Sequence, residues 1–173
     1  MAGYSGTPLP QKLGLKPNAR FGIFGAPRDF ATTLGALPHG VTVTDAARGS
    51  SPLDVILCFA DSLAKLERTL PRAHERLASN GGLWICWPKK AAGIATDVTE
   101  AEARRRGLAR GLVDNKVCAI DETWSGLRMV IRVVDRPRAA RPATSSGRRT
   151  RQPVRTKTSS KTASHSARRA KKN

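Results

Sequence analysis

The chain has 173 residues, with 31 Lys and Arg against 13 Asp and Glu, a formal net charge of +18. No stretch approaches the roughly 18 consecutive apolar residues that a membrane span needs, and no basic start followed by an apolar run opens the chain, so neither a membrane helix nor a secretory signal is expected. Cys58, Cys86 and Cys118 lie 28 and 32 residues apart, a spacing that suits neither a disulfide framework nor a zinc knuckle. Each sits in an apolar run, as a buried, reduced thiol would, and the expected compartment is the cytoplasm.

The charge is unevenly placed. Arg136 to Asn173 hold thirteen Lys or Arg and no acid, while the 135 residues before them hold 18 basic and 13 acidic side chains. Val154 is the only residue of that last segment with an apolar side chain larger than alanine. Such a segment cannot bury enough surface to offset its ordering entropy, so residues 136–173 are expected to be disordered and to seek polyanions.

Along the chain, residues 1–18 are rich in Gly and Pro and are expected to form an irregular arm. Residues 19–135 then alternate between strand and helix patterns. Phe21 to Phe24 predicts a strand closed by Gly25-Ala26-Pro27. Asp29 to Leu37 predicts a short helix, and the β-branched Val41 to Thr44 a second strand ending at Asp45. Leu53 to Phe59 is continuously apolar apart from Asp54, which suits a strand covered on both faces. Leu63, Leu66, Leu70, Ala73 and Leu77 follow at helical spacing after Asp61 or Ser62 as a cap, with Pro71 expected to kink or divide the helix.

Asn80-Gly81-Gly82 should end that helix, and Leu83 to Trp87 predicts a buried strand stopped by Pro88. Trp84 and Trp87 stand an odd number of positions apart, which points them to opposite faces. Thr99-Glu100-Ala101-Glu102 is a capping box, opening a helix that runs to Arg110 with Gly111 beyond. Arg104, Arg105, Arg106 and Arg110 load its later part and are expected to form a solvated face that complements the helix dipole. Val117 to Ile120 and Leu127 to Val134, around a turn at 123–126, predict an antiparallel hairpin.

Strands alternating with crossover helices imply a three-layer α/β fold with a mainly parallel, Rossmann-like sheet that ends in an antiparallel hairpin. The connection from Asp45 to Leu53 is too short for a helical crossover, so one unit is missing there.

In such a sheet, ligands lie beyond the carboxyl ends of the strands. The pattern resembles the methyltransferase-like branch of Rossmann folds, in which a glycine-rich turn follows the first strand and an acid ends the second to hold a ribose. The resemblance makes Gly25, Asp45, Asp61 and Lys89 the candidate cofactor-binding residues. Asp45 falls at the acid's place. The glycine-rich turn is degraded, with Gly22 and Gly25 three apart and Pro27 where a helix should open. Cys58-Phe59-Ala60-Asp61 stands where an Asn-Pro-Pro-aromatic motif would follow the third strand. No bound cofactor is therefore expected.

The segments MAGYSGTPL (1–9), GLWICWPKK (82–90) and GLVDNKVCAIDETWSGLR (111–128) closely resemble a family of short bacterial proteins catalogued as domain of unknown function 3052. The resemblance spans roughly residues 1–135. It implies a single bacterial, cytoplasmic domain and brings no activity with it.

The polar clusters also have structural readings. Lys89 is expected to pair with Asp61 on the neighbouring strand end rather than to hold a phosphate. Asp114, Asn115, Asp121 and Glu122 suit turns and strand caps better than a metal, because no His or Cys accompanies them. His39, His74 and His165 offer no paired base and nucleophile. Trp124, in the hairpin turn, is the aromatic expected to be exposed and to meet a partner.

The leading expectation is a non-catalytic binding domain whose basic tail contacts the phosphates of nucleic acid or another polyanion without reading sequence. The contacts would come from Arg148, Arg149, Arg151, Arg155, Lys157, Lys161, Arg168, Arg169, Lys171 and Lys172. Its rivals are a nucleotide- or adenosylmethionine-dependent enzyme, and a protein-interaction module working through the hairpin.

Overall fold

The structure, a computed structural model, describes residues 6–137. The expected disorder of the tail and its candidate contacts, with His165, lie outside the described residues, apart from Arg136 and Pro137. Six strands form one sheet in the order β2-β1-β3-β4-β6-β5. They are β1 (Arg20–Phe24), β2 (Thr42–Asp45), β3 (Leu53–Phe59), β4 (Leu77–Pro88), β5 (Leu112–Ala119) and β6 (Trp124–Ile131). β2, β1, β3 and β4 run parallel, and β6 pairs antiparallel with both β4 and β5. This is the Rossmann-like arrangement with a terminal hairpin that the sequence predicts.

Among the described residues, four α-helices complete the layers: α1 (Leu9–Leu13), α2 (Phe30–Leu34), α3 (Leu63–Glu75) and α4 (Glu100–Ala109). Leu66, Leu70 and Ala73 of α3 and Ala103 of α4 pack on one sheet face with Ile56, Cys58, Leu83, Ile85 and Trp87. Leu13, Phe30 and Leu34 pack on the other with Phe21, Leu57, Phe59, Trp84 and Cys86. β3 is thus covered on both sides, as its continuous apolar run requires. Trp84 and Trp87 do face opposite layers. Among the described residues, no helix is long and apolar enough to cross a membrane.

Several elements depart from their sequence patterns. Within the segment expected to be an irregular arm, the described residues include α1, which docks on the sheet, with Leu13 fully buried and its carbonyl accepting the Trp84 indole N–H at 3.1 Å. α2 has five residues rather than nine, because Asp29 before it and Gly35 after it both take positive φ. α3 continues through Pro71 as one helix. β4 begins at Leu77, and five steps along it match only two along β3, from Leu53↔Leu77 to Val55↔Gly82. Asn80-Gly81-Gly82 therefore belongs to an irregular strand entry, not to a helix end. β5 begins at Leu112, five residues before the predicted start, with a register shift between Asp114 and Lys116.

The missing crossover unit is real, and its replacement is unusual. Residues 46–52 carry the chain from β2 across β1 to β3 without a helix. Ala46 is fully buried in this passage. A Cβ at Gly22 would stand 2.4 Å from Leu53 Cδ1 and 3.0 Å from Ala46 Cβ, so only glycine lets the chain lie this close to β1. The backbone carbonyls of the passage need donors, and α3 supplies them from its C-terminal end. Arg76 donates from Nη1 to Ala46 O (2.7 Å) and Arg48 O (2.5 Å), and from Nε and Nη2 to Ser51 O at 3.2 and 3.0 Å. Arg72 adds a bond to Ala47 O at 2.6 Å. Arg76 is the one buried polar or charged residue among the described residues, and carbonyls rather than a carboxylate satisfy it.

Replacing Arg76 with leucine leaves three carbonyls to find water or remain unpaired. Each buried, unsatisfied acceptor costs about 1–3 kcal/mol, so Arg76→Leu should lower stability by about 3 kcal/mol in urea denaturation. A loss no larger than that of an exposed substitution such as Arg68→Leu would show that the passage holds itself.

Candidate functional site

The parallel strands end on one side of the sheet. β1 leads to β2 on one side and β3 lies on the other, so the switch in strand order falls between the ends of β1 and β3. Gly25 leaves β1 with φ +62°, a left-handed conformation that suits glycine. It is also tightly enclosed, since a Cβ there would meet Phe59 O at 3.1 Å and Lys65 Cε at 3.3 Å. An open cleft of about 420 Å³ lies beside it, lined by Ile23, Gly25, Ala26, Val43, Thr44 and Asp45. Two of the four candidate residues, Gly25 and Asp45, are therefore brought together.

Their donors and acceptors are largely engaged. Asp45 Oδ1 accepts the Ala47 N–H at 2.9 Å, and Oδ2 lies 3.5 Å from Arg48 Nε. Asp61 pairs with Lys65 on the first turn of α3 at 3.6 Å. The N-terminus of α3 sits at the switch point, where free amides would meet a ligand's anion. Asp97 Oδ1 instead accepts the Leu63 N–H at 2.7 Å, and the Ser62 hydroxyl accepts the Lys65 N–H at 3.4 Å. Lys65 and Asp97 were not legible as site residues. Lys65 had one available signal, its place in the turn after the third strand. Asp97 had none, being 34 residues from its partner.

Lys89 is not part of this group, and its expected ion pair with Asp61 does not form. Its Nζ donates to Asp121 O at 2.6 Å, and its N–H to Thr123 O at 2.7 Å. Asp121 Oδ1 in turn accepts the N–H groups of Thr123 and Trp124 at 2.8 and 2.7 Å. This is a structural lock between the end of β4 and the hairpin turn. It also corrects the reading of Trp124, which begins β6 and is buried, 8% exposed, edge-on to Phe59 at 5.0 Å. The turn folds its indole onto the sheet instead of presenting it to a partner.

The arginines of α4 are paired rather than simply solvated. Arg104 bonds Glu100 (2.8 Å) and Asp114 (3.0 Å), Arg105 bonds Glu102 (2.6 Å), and Arg106 bonds Glu67 and lies 3.5 Å from Glu102. Glu102 thus faces these arginines, while Thr99 Oγ1 accepts its N–H at 3.2 Å as the capping box predicts. Asn115 Oδ1 accepts from Arg128 at 3.3 Å. Among the described residues, no three His, Cys, Asp or Glu stand close enough to hold a metal ion. A groove of about 570 Å³ between α3 and α4 is lined by Glu67, Leu70, His74, Arg106, Ala109 and Arg110. Burial and then the charge of Arg110 hold the His74 pKa below its ordinary value, so the imidazole there is neutral at neutral pH.

No protein-family model matches the chain, and no curated protein sequence does. Among solved structures, it is similar to a ribosomal protein L11 methylase from Lactobacillus delbrueckii subsp. bulgaricus, with a TM-score of 0.49 and 10% identity over 72% of this chain and 75% of that one. It is also similar to magnesium protoporphyrin IX methyltransferase from Synechocystis PCC 6803 with bound SAH, with a TM-score of 0.42 and 13% identity over 57% of this chain. The matched part is 53% of that enzyme, so this chain spans about half its length. Aeropyrum pernix fibrillarin with natively bound S-adenosyl-L-methionine gives a TM-score of 0.38 and 16% identity over 70% of this chain and 73% of that one. Likenesses this distant describe a chain path and carry nothing about chemistry.

The thiols differ in reach. Cys58 and Cys86 are fully buried, and Cys118 is only partly so. Burial pushes the Cys58 thiol up to about 11, against the opposing pull of its contact with Thr69. Burial raises Cys86 as well. A maleimide should therefore label Cys118 first in the native protein and reach Cys58 and Cys86 only after denaturation. Fast native labelling in a Cys118→Ser variant would contradict the packing. A neutral thiol favoured by the fold stabilises it fully below the ordinary thiol range and loses that effect as pH rises through about 11. Stability should thus fall more steeply with rising alkalinity in the native sequence than in Cys58→Ala.

Proposed function

We propose that residues 6–137 form a non-catalytic binding domain of methyltransferase-like fold, and that the basic segment after it contacts nucleic acid or another polyanion. One observation carries the first half. The groups that would receive a nucleotide-like ligand at the strand ends are already held by the protein's own groups, the Asp97 carboxylate on α3, and the Ala47 N–H and Arg48 guanidinium on Asp45. The proposal includes membership of the bacterial family catalogued as domain of unknown function 3052, on the three segments quoted above, and a cytoplasmic location. The second half rests on charge, since thirteen cations and no anion follow Asp135.

Phosphate contact by such a segment releases counterions, so affinity should depend steeply on salt. With six or more phosphates engaged, DNA-duplex affinity should fall by about 10³-fold or more between roughly 50 and 200 mM salt. Deleting residues 136–173 should abolish the binding and leave the fold intact, because the strands, helices and both core clusters of the described residues lie before Arg136. Unchanged binding by the shortened chain would sink this half.

The open cleft beside Gly25 and Asp45 favours a second reading, a nucleotide- or adenosylmethionine-dependent enzyme. Against it, α2 is too short to present an anion-binding N-terminus, and its entry passes through Pro27 and a left-handed Asp29. Asp45 alone would add a charge-assisted bond of about 1.5–3 kcal/mol, less than the ordering cost of binding. Calorimetry with adenosylmethionine should show no saturable heat at millimolar ligand. A dissociation constant below about 100 μM, roughly 5.5 kcal/mol of affinity, weakened on the order of tenfold by Asp45→Ala, would establish the enzyme reading instead.

A further inference from the structure

A second cleft lies at the opposite end of the sheet, among the amino ends of β1 and β3. It has a volume of about 290 Å³, and Gly14 and residues 16–19 form one wall. Arg128 of β6 lines it. The guanidinium rests against Gly82 of β4, where a Cβ would stand 2.5 Å from Nε and 2.7 Å from Nη2. Any side chain at position 82 would evict it. Arg128 Nη1 donates to Asn115 Oδ1 at a long 3.3 Å, and no carboxylate among the described residues pairs with it. Asp54, the one acid in the cleft, has its charge paired with Arg20, Oδ2 accepting the Arg20 N–H at 2.8 Å and lying 3.5 Å from Arg20 Nε.

Lys16 also lines the cleft, without an ion pair among the described residues, beside Asn18 and Asn80. Burial and then the charge of Arg136 hold the Arg128 pKa below its ordinary value. The arginine is thus partly desolvated beside a like charge, an arrangement that costs free energy until an anion arrives. The volume is near the lower end for ligand pockets, which run from about 300 to 1,000 Å³, and suits one phosphate group with a small body attached.

We propose that this cleft binds a phosphate group, with Arg128 and Lys16 as its two cations. It faces away from the Gly25–Asp45 cleft and uses no residue beyond Arg136, so the site stands independently of the functions proposed above. The phosphate comes either from a small phosphate ester or from a nucleic-acid backbone seated on the domain itself.

Thermal unfolding of the full chain, with inorganic phosphate titrated against chloride at matched ionic strength, tests it. The melting temperature should rise saturably with phosphate. Lys16→Gln, at an exposed position, should raise the apparent dissociation constant on the order of tenfold. Arg128→Lys should do the same, and Arg128→Gln should remove the effect. No saturable rise in the native sequence, or a rise in Lys16→Gln and Arg128→Lys at the same phosphate concentration as in the native sequence, would overturn the site, because tail contacts act alike in all variants. Binding of a short DNA duplex then separates the sources. Weaker duplex binding by Arg128→Lys assigns a backbone phosphate, and unchanged duplex binding alongside weakened phosphate binding assigns a free ester.

Discussion

Arg76 holds together a parallel crossover that has no helix to do so. A parallel crossover normally spends a dozen or more residues and a helix. Here seven residues pass from β2 over β1 to β3, and their inward carbonyls at 46, 48 and 51 converge on one guanidinium. A lysine would offer a compact ammonium in place of this planar set of donors. The geometry also explains the small residues nearby: Gly22 and Ala46 bring the passage within contact of the sheet. The clamp, the glycine and the short connection are one solution to the loss of a crossover unit.

The same economy shapes the cleft. With no helix after β2, nothing from that connection covers the carboxyl ends of β1 and β2, and all four residues of β2 are exposed. Asp45 ends β2 and also starts the clamped passage by accepting the Ala47 N–H. A ligand at Asp45 would compete with the turn that orders the crossover. Openness at this place reflects a missing layer more than a built pocket.

Where the sequence was legible, the signal was periodicity backed by local chemistry. The double-faced apolar run of β3, the opposed Trp84 and Trp87, the Thr99 cap and the antiparallel hairpin all follow from residues within a few positions of one another. The failures share a different cause. Leu9, Leu13 and Leu15 read as a loop because Gly and Pro flank them, and their reason for order is Trp84, 71 residues beyond Leu13. The first half of β5 hides behind Asp114-Asn115-Lys116, polar because it forms the sheet's edge, where solvent tolerates it. For Lys89, a carboxylate was the natural partner to expect, yet it found carbonyls of a turn more than thirty residues away. Tertiary partners of this kind leave no local pattern, so fold class was readable and site membership was not.

The position of β6 has a consequence for how the protein can be made. The last strand among the described residues lies inside the sheet, bonded to β4 on one side and to β5 on the other. During synthesis from the N-terminus, β5 therefore emerges with no neighbour to join, and the apolar edge of β4 from Leu83 to Trp87 stays unpaired until Ile131 has left the ribosome. The nascent domain can organise α1, β1, β3 and α3 early, but its sheet closes only once β6 has emerged, by insertion rather than by addition. The interval before that closure is when this chain is most open to strand exchange with another copy or to capture by a chaperone.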